Sequence, residues 1–150
     1  MILPFSIDLF FMNDILQAAT ERMSSIVDDR RHIHRNPELS FQEYETCSYI
    51  AKRLDSMNIP YSIIAQTGIV AHIGSGDRCI ALRADIDALP IEEETGLDFA
   101  STTPRIMHAC GHDAHTAMLL GAASILKERE SSLDRKSTRL NSSHLVISYA

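Results

Sequence analysis

Three histidines, a cysteine and an aspartate lie within residues 107–115, which read MHACGHDAH. Thiolate, imidazole and carboxylate groups are the ligands that divalent cations such as Zn²⁺ and Mn²⁺ take in proteins. Gly111 separates Cys110 from His112 and carries no Cβ, so the backbone can turn both side chains toward one point. We therefore predict a metal site in which Cys110 and His112 are candidate ligands.

Two carboxylates form a second candidate group, directly after a strand predicted over residues 79–84. Asp85 and Asp87 are two residues apart, so in an extended chain their side chains project on the same side. Open α/β sheets bind ligands beyond the carboxyl ends of their strands, which favours a functional role. The alternative is a solvated strand end in which the aspartates only serve the turn. The ligand-rich stretch downstream favours the functional interpretation.

Two helices are predicted before these groups. Apolar residues recur at helical spacing over residues 15–35, and the helix should end there because Asn36-Pro37 disfavours the α conformation. Ser40 and Glu43 have the spacing of a capping box, which predicts a second helix that ends before Pro60.

Strands and a third helix complete the predicted elements. Segments 61–65, 69–73 and 79–84 predict three strands, and Gly74-Ser75-Gly76-Asp77 predicts a hairpin between the last two. We expect the acidic run Glu92-Glu93-Glu94 to be solvated. A helix is predicted over residues 114–130 with Asp113 as its N-cap. Its predicted buried stripe is Met118, Ala122, Ile125 and Leu126. This order of helices and strands predicts one part of an α/β layered domain.

Composition restricts the class of protein. The chain has 150 residues, of which 45% are hydrophobic and 23% charged, as in a globular domain with a real core. Its formal net charge of −6 argues against nucleic acid and anionic membranes as partners. The three cysteines are odd in number and widely spaced, so we expect free thiols, a cytoplasmic protein and a buried, structural Cys47. No apolar run reaches the ~18 residues that span a bilayer.

Both ends are predicted to lie outside the domain. Residues 1–11 are apolar but lack the basic region of a signal peptide, and we treat them as an N-terminal extension. Residues 134–150 lose the hydrophobic periodicity and resemble the translation of a sequencing-library adapter, interrupted at Leu145-Val146 by the length of an index. We therefore expect residues 134–150 to be a non-native tail, and the native gene to continue differently after Leu133.

Three stretches resemble one family: residues 34–40 (HRNPELS), residues 83–90 (RADIDALP) and residues 107–120 (MHACGHDAHTAMLL), of which the last is the most specific. Together they resemble the metal-dependent amidohydrolases of the aminoacylase/carboxypeptidase clan. The most similar branch contains hippurate hydrolases, auxin-conjugate hydrolases and N-acyl-amino-acid amidohydrolases. The resemblance implies that residues 12–133 are the N-terminal fragment of a catalytic α/β domain with a mixed sheet flanked by helices.

The resemblance also implies roles for particular residues. Cys110 and His112 match ligands of a site that holds two divalent ions (Zn, Mn, Co or Ni). Asp87 matches a catalytic-site aspartate that orients a ligand, and Asp85 stands where other branches have a ligating histidine. We expect His115, like Asp85, to support the ligands from a second layer.

The resemblance further implies the reaction and the partners. The substrate is a small N-acyl amino acid whose amide bond is hydrolysed. A glutamate that acts as general base, further ligands and an inserted dimerisation domain are implied after residue 133. We therefore expect a homodimer or larger assembly from the complete protein, and no catalysis from this fragment.

Three alternatives remain open from the residues themselves. One is a hydrolase with Cys110 as nucleophile and His112 or His108 as its base. A second is a structural metal module, although such closely spaced ligands at a helix start crowd a tetrahedral site. The third is a protein without catalysis, which would hold if the native gene also ended near Leu133.

Overall fold

The structure, a computed structural model, describes residues 9–75, 79–133 and 144–149, which form an α/β fold. This confirms the predicted fold class. Within these ranges, no helix is both long enough and apolar enough to cross a membrane. The helices are α1 (Leu9–Glu21), α2 (Met23–Arg35), α3 (Tyr44–Ser56), α4 (His112–Glu128) and α5 (Glu130–Leu133). The strands are β1 (Tyr61–Ile64), β2 (Gly68–Ile73), β3 (Cys79–Ala84) and β4 (His144–Tyr149).

The four strands form one mixed sheet in the order β1-β2-β4-β3. β2 is antiparallel to both of its neighbours, whereas β3 runs parallel to β4. A mixed sheet is therefore confirmed. The predicted hairpin between β2 and β3 is wrong, because β4 lies between these two strands.

β4 lies in the stretch that the sequence marks as a non-native tail. Strand pairing uses backbone N–H and C=O groups, so a β-prone segment such as HLVISY can pair with open strand edges whatever its origin. The origin of residues 134–150 therefore stays a prediction. Residues 134–143 and residue 150 lie outside the described residues.

The hydrophobic core lies between the sheet and helices α3 and α4. It contains Cys47, Ile50, Leu54, Ile69, Ala71, Ile73, Leu120 and Ala123. Burial raises the pKa of the Cys47 thiol, and the prediction that this residue is a small buried hydrophobe is confirmed.

The single helix predicted over residues 15–35 is in fact two helices, with Arg22 at the junction. The backbone N–H of Arg22 donates to Ala19 O at 3.2 Å, the spacing of a 3₁₀ turn. The guanidinium of Arg22 donates to Ser124 and pairs with Glu128, so the junction is held against α4. Because α1 begins at Leu9, it crosses the predicted end of the N-terminal extension, and residues 1–8 lie outside the described part.

The predicted capping box at Ser40 is wrong, because α3 begins only at Tyr44. Phe41 has a φ of 66°, a left-handed conformation that turns the chain instead of starting a helix. The carboxylate of Glu38 caps α3, accepting from the N–H groups of Glu45 and Thr46 at 3.1 and 2.7 Å.

The buried face of α4 differs from the predicted stripe. Met118 is 55% exposed, so its predicted place in the core is wrong. The fully buried positions of α4 are Asp113, Thr116, Ala117, Leu119, Leu120, Gly121 and Ala123. Helix α2 packs against α4. The two polar residues of this buried set, Asp113 and Thr116, lie toward the N-terminal end of α4, beside the candidate site.

Candidate metal site

A short antiparallel bridge brings the two candidate groups together. Leu89 and Met107 exchange backbone hydrogen bonds of 2.9 and 3.1 Å. The chain that follows β3 therefore runs beside the chain that leads into α4. Asp87 and His112, far apart in sequence, are in contact as a result.

Asp87 holds the ring of His112 through its Nδ1 atom. This atom lies 2.9 Å from Oδ1 of Asp87 and 3.1 Å from the backbone oxygen of the same residue. Because an ionised carboxylate and a carbonyl only accept hydrogen bonds, Nδ1 carries the proton and Nε2 presents its lone pair. Histidines that bind metals are commonly fixed in this way.

The turn before α4 carries Cys110 and Gly111. Gly111 has a φ of 85°, the left-handed conformation that favours glycine, so a turn that needs glycine is confirmed, whereas the convergence of Cys110 and His112 on one point stays a prediction. The Cys110 thiol is free and exposed, and no hydrogen bond joins it to His108 or His112 within the described residues. Asp113 is not the N-cap that the sequence predicts, because α4 begins at His112 after Gly111.

The other two predicted residues lie at the rim of the site. The carboxylate of Asp85 is 43% exposed and pairs with Arg83 at 2.8 Å. His115 is exposed, and its ring centroid lies 6.3 Å from that of His112. Among the described contacts, the hydrogen bonds that fix the His112 ring come from Asp87.

A cleft of about 460 Å³ opens beside His112. This volume lies within the range of small-molecule sites, roughly 300–1,000 Å³. Asp85, Asp87 and His112 line it together with the exposed side chain of Phe41. The cleft is large enough for a small ligand and brings it next to the predicted ligand His112.

Behind the site, Asp113 is held by two residues of α2. Arg30 and His34 are one helical turn apart, and their Nε and Nδ1 atoms lie 2.8 and 2.7 Å from Oδ2 of Asp113. The side chains of His34 and Asp113 are only 4% and 1% exposed. The residue that follows His112 is therefore fixed by a buried ion-pair network.

Glu93 contradicts the expectation that the acidic run is solvated. Its side chain is 4% exposed, and its Oε1 atom lies 3.1 Å from Nε2 of His34. Burial by itself raises the pKa of Glu93, but hydrogen bonds from the Ser101 amide, the Thr95 hydroxyl and His34 lower it to about 2. Sequence reasoning missed this contact, because nothing in an acidic run shows which carboxylate turns inward.

His108 is buried beside this network, with its ring centroid 6.3 Å from that of His34. Burial lowers the pKa of His108 to about 4 against the opposing charge of Asp113, so the ring is neutral at pH 7. Within the described residues, neither ring nitrogen of His108 nor Oδ1 of Asp113 has a hydrogen-bond partner.

A family model described as peptidase family M20/M25/M40 matches residues 81–141. The matched range includes Asp85, Asp87 and the whole 107–115 stretch, and it ends within the tail predicted to be non-native. An N-acetyl-L-cysteine deacetylase of Bacillus subtilis is 54% identical over 114 residues, which are 74% of this chain and 27% of that protein. An IAA-amino acid hydrolase of Arabidopsis thaliana, ILR1-like 5, is 49% identical over 72% of this chain and 25% of its own length.

One solved structure supports the same assignment. The Bacillus subtilis YXEP protein, described as a dinuclear metal-binding peptidase from the M20 family, matches with a TM-score of 0.76 at 41% identity. The match covers 84% of this chain and 34% of that one. The chain belongs to the M20 peptidase family. It spans about a quarter of the length of the curated M20 relatives described above.

The described part of this M20 chain does not assemble a metal centre by itself. Within it, no three His, Cys, Asp or Glu side chains converge at the distances that a metal ion requires. Cys110 and His112 therefore stay predicted ligands. The structure adds the contacts that hold one of them: Asp87 on the ring of His112, and the Arg30–His34–Asp113 network immediately behind it.

Proposed function

We propose that the complete protein is a metal-dependent hydrolase that cleaves the amide bond of N-acyl amino acids, and that Cys110 and His112 hold its metal. One observation carries this proposal. Asp87 fixes Nδ1 of His112, which leaves Nε2 as a ligand atom beside an open cleft, two residues from an exposed thiol. The relatives support the substrate class, since one is named for an N-acetyl amino acid and another for amino acid conjugates.

The donor set fits a divalent metal. An imidazole nitrogen and a thiol suit Zn²⁺, Mn²⁺, Co²⁺ or Ni²⁺, and the YXEP protein is described as binding two metals. Two residues cannot complete such a site, so we propose that the remaining ligands and a glutamate base come from sequence that follows residue 133 in the native gene. The unpaired buried atoms of His108 and Asp113 are in keeping with an incomplete centre.

When bound, such a metal lowers the pKa of coordinated water from ~15.7 toward ~7. The residues described here would position the metal ligands. Asp87 keeps a proton on Nδ1 of His112, so the ring presents Nε2 in one fixed tautomer. Asp85 and His115 lie at the rim, where we propose that they support the ligands without binding the metal.

A cysteine nucleophile is the second candidate function. Nucleophilic cysteines need a base within hydrogen-bonding reach, and among the described residues no hydrogen bond joins the Cys110 thiol to His112 or His108. A closed structural metal site is less well supported, because His112 lies beside an open cleft and closely spaced ligands at a helix start crowd a tetrahedral site.

Substitution of Cys110 and His112 in the complete protein separates ligand from nucleophile. We expect Cys110→Ala and His112→Ala to lose bound metal and hydrolysis of N-acyl amino acids together, as measured by elemental analysis and by assay. Cys110→Asp should regain part of both in excess Mn²⁺ or Co²⁺, because a carboxylate can replace a thiolate as ligand. Cys47→Ala, which removes a core thiol, is the control and should retain its metal. Full metal content in an inactive Cys110→Ala, with a trapped acyl adduct on the wild-type thiol, would overturn the assignment.

We further propose a cytoplasmic location and a homodimeric or larger assembly for the complete protein. The odd number of widely spaced cysteines supports the location, and the family resemblance supports the assembly. Cell fractionation and light scattering on the purified complete protein test these two points.

A further inference from the structure

Three acidic or basic side chains form a linear array behind the candidate site. Asp113 lies at one end, His34 in the middle and Glu93 at the other end, with distances of 2.7 Å at Nδ1 and 3.1 Å at Nε2 of His34. The three side chains are 1%, 4% and 4% exposed. The array joins α4, α2 and the loop that contains Glu93.

The hydrogen bonds use both nitrogens of the central ring. Both nitrogens of His34 face carboxylate oxygens, and ionised carboxylates only accept. A neutral imidazole has one donor and can satisfy one of these partners, whereas an imidazolium satisfies both. Arg30, whose side chain is 34% exposed, adds a cation on Asp113.

Further contacts hold the loop against α2. Phe99 places its ring edge-on to His34, at 5.5 Å between centroids, and the guanidinium of Arg30 lies 4.7 Å from the centre of the Phe99 ring. The backbone N–H of Thr102 also donates to Arg35 O at 2.9 Å. His34 is therefore held on several sides, and it in turn holds Asp113.

Asp113 directly follows His112 in the first turn of α4. Among the described residues no side chain caps this helix start, so its orientation depends on tertiary contacts. Asp87, which follows β3, orients the ring of His112 through Nδ1. The array holds Asp113, and with it the backbone next to His112.

We propose that His34, held between Asp113 and Glu93, is a positioning residue of the metal site that orients His112 without contacting the metal. This inference rests on the proposed function, since it assumes that His112 is a ligand.

Two substitutions of His34 separate positioning from general stability, because each keeps one half of the array. The amide nitrogen of asparagine occupies the place of Nδ1, so His34→Asn can still donate to Asp113. The amide nitrogen of glutamine occupies the place of Nε2, so His34→Gln keeps Glu93 but loses Asp113. Asp29→Asn is the matched control, because Asp29 is equally buried on α2 but pairs with Tyr49 and Arg53 on α3.

The variants are made in the complete protein. The dissociation constant for Co²⁺ is measured by competition with a chelator, the Co²⁺ absorption spectrum is recorded, and thermal unfolding of the metal-free protein serves as the stability reference. We expect His34→Gln to bind Co²⁺ about 10–100-fold more weakly with an altered spectrum, the usual effect of losing a group that orients a ligand. His34→Asn should recover most of the affinity. Asp29→Asn should lower the melting temperature and leave Co²⁺ binding at the wild-type value.

Other outcomes overturn the inference. Wild-type affinity and spectrum in His34→Gln would show that the array does not position His112. An equal loss of affinity in Asp29→Asn would assign the effect to stability alone. If His34→Gln does not fold, Asp113→Asn, which alters the other partner of the same contact, decides in its place: wild-type Co²⁺ affinity and spectrum in Asp113→Asn contradict the proposal. Absence of Co²⁺ binding by the wild-type protein would instead refute the proposed function.

Discussion

Oδ1 of Asp87 lies 2.9 Å from Nδ1 of His112, so a carboxylate that follows β3 fixes a ring at the start of α4. The two residues come from different predicted groups, and the contact joins those groups into one site. The backbone oxygen of Asp87 accepts from the same nitrogen at 3.1 Å, which restricts the ring further. The contact makes Asp87 the first residue to test after the ligands themselves.

Removal of the Asp87 carboxylate should weaken metal binding by about 10–100-fold in the complete protein, the usual effect of losing a group that orients a ligand. Asp87→Asn should lose less than Asp87→Ala, because the amide oxygen still accepts from Nδ1–H. Isothermal titration with Zn²⁺ measures the affinity. Asp85→Ala should weaken binding less than Asp87→Ala, since the Asp85 carboxylate pairs with exposed Arg83 and no described hydrogen bond joins it to His112. A larger loss in Asp85→Ala than in Asp87→Ala would reverse the roles assigned here.

Glu93 should make the stability of the complete protein depend on pH in acid. Its pKa is lowered from 4.5 to about 2 in the folded state. A depressed folded pKa stabilises above the unfolded value, and this contribution is lost as pH falls from about 4.5 to 2. Glu93→Gln should therefore be less stable than wild type at pH 6 and approach it toward pH 2. Urea unfolding across this range measures the difference, and a constant gap at every pH would contradict the assignment.

Gly121 should not tolerate a side chain. A Cβ at this position would lie 2.6 Å from Cδ1 and 2.8 Å from Cγ1 of Ile26 on α2. We expect Gly121→Ala to destabilise the complete protein by about 1–3 kcal/mol, because the Ile26 side chain must leave its place against α4. In an Ile26→Ala background the same change should be neutral or stabilising by up to ~1 kcal/mol, since alanine favours a helix over glycine. Chemical denaturation of the wild type, the two single variants and the double variant gives their free energies of unfolding, which form a double-mutant cycle. Equal effects of Gly121→Ala in both backgrounds would show that Ile26 is not the obstacle.

Residues 12–133 should fold poorly when expressed alone. Ile63 on β1 and Ile80 on β3 are 55% and 57% exposed, and removal of β4 leaves the facing edges of β2 and β3 unpaired. Exposed apolar surface and open strand edges favour aggregation. Size-exclusion chromatography and thermal unfolding test this. A soluble monomer with one sharp transition would be inconsistent with it.

The native gene should continue past Leu133 without the 134–150 sequence. The prediction depends on the match of this stretch to a sequencing adapter, and the strand at residues 144–149 does not decide it, because backbone pairing is nearly independent of sequence. Long-read sequencing of the source DNA across the Leu133–Asp134 junction is the test. A genomic copy of Arg-Lys-Ser-Thr-Arg-Leu-Asn-Ser-Ser-His at this place would refute the prediction.

Local patterns in the sequence were enough to predict most elements. Helix α3, strand β2 and most of α4 follow from hydrophobic periodicity, because each buries one face against the core. Strands β1 and β3 follow from their β-prone residues. Gly111 was predictable as well, since only a residue without Cβ adopts its left-handed turn easily. The ligand-rich stretch identified the candidate site and the family, because its residue types are few and closely spaced.

Contacts between distant segments were not predictable in this way. The inward turn of Glu93, the pairing of His34 with Asp113 and the order β1-β2-β4-β3 depend on how α2, α4 and the sheet pack together. An acidic run or a helical histidine has the same local pattern whether it faces water or a buried partner. The sequence by itself determined the elements, the family and the candidate ligands. Only the tertiary structure decided which charged residues hold those ligands, because a buried ion pair is defined by its partner and not by its neighbours in the chain.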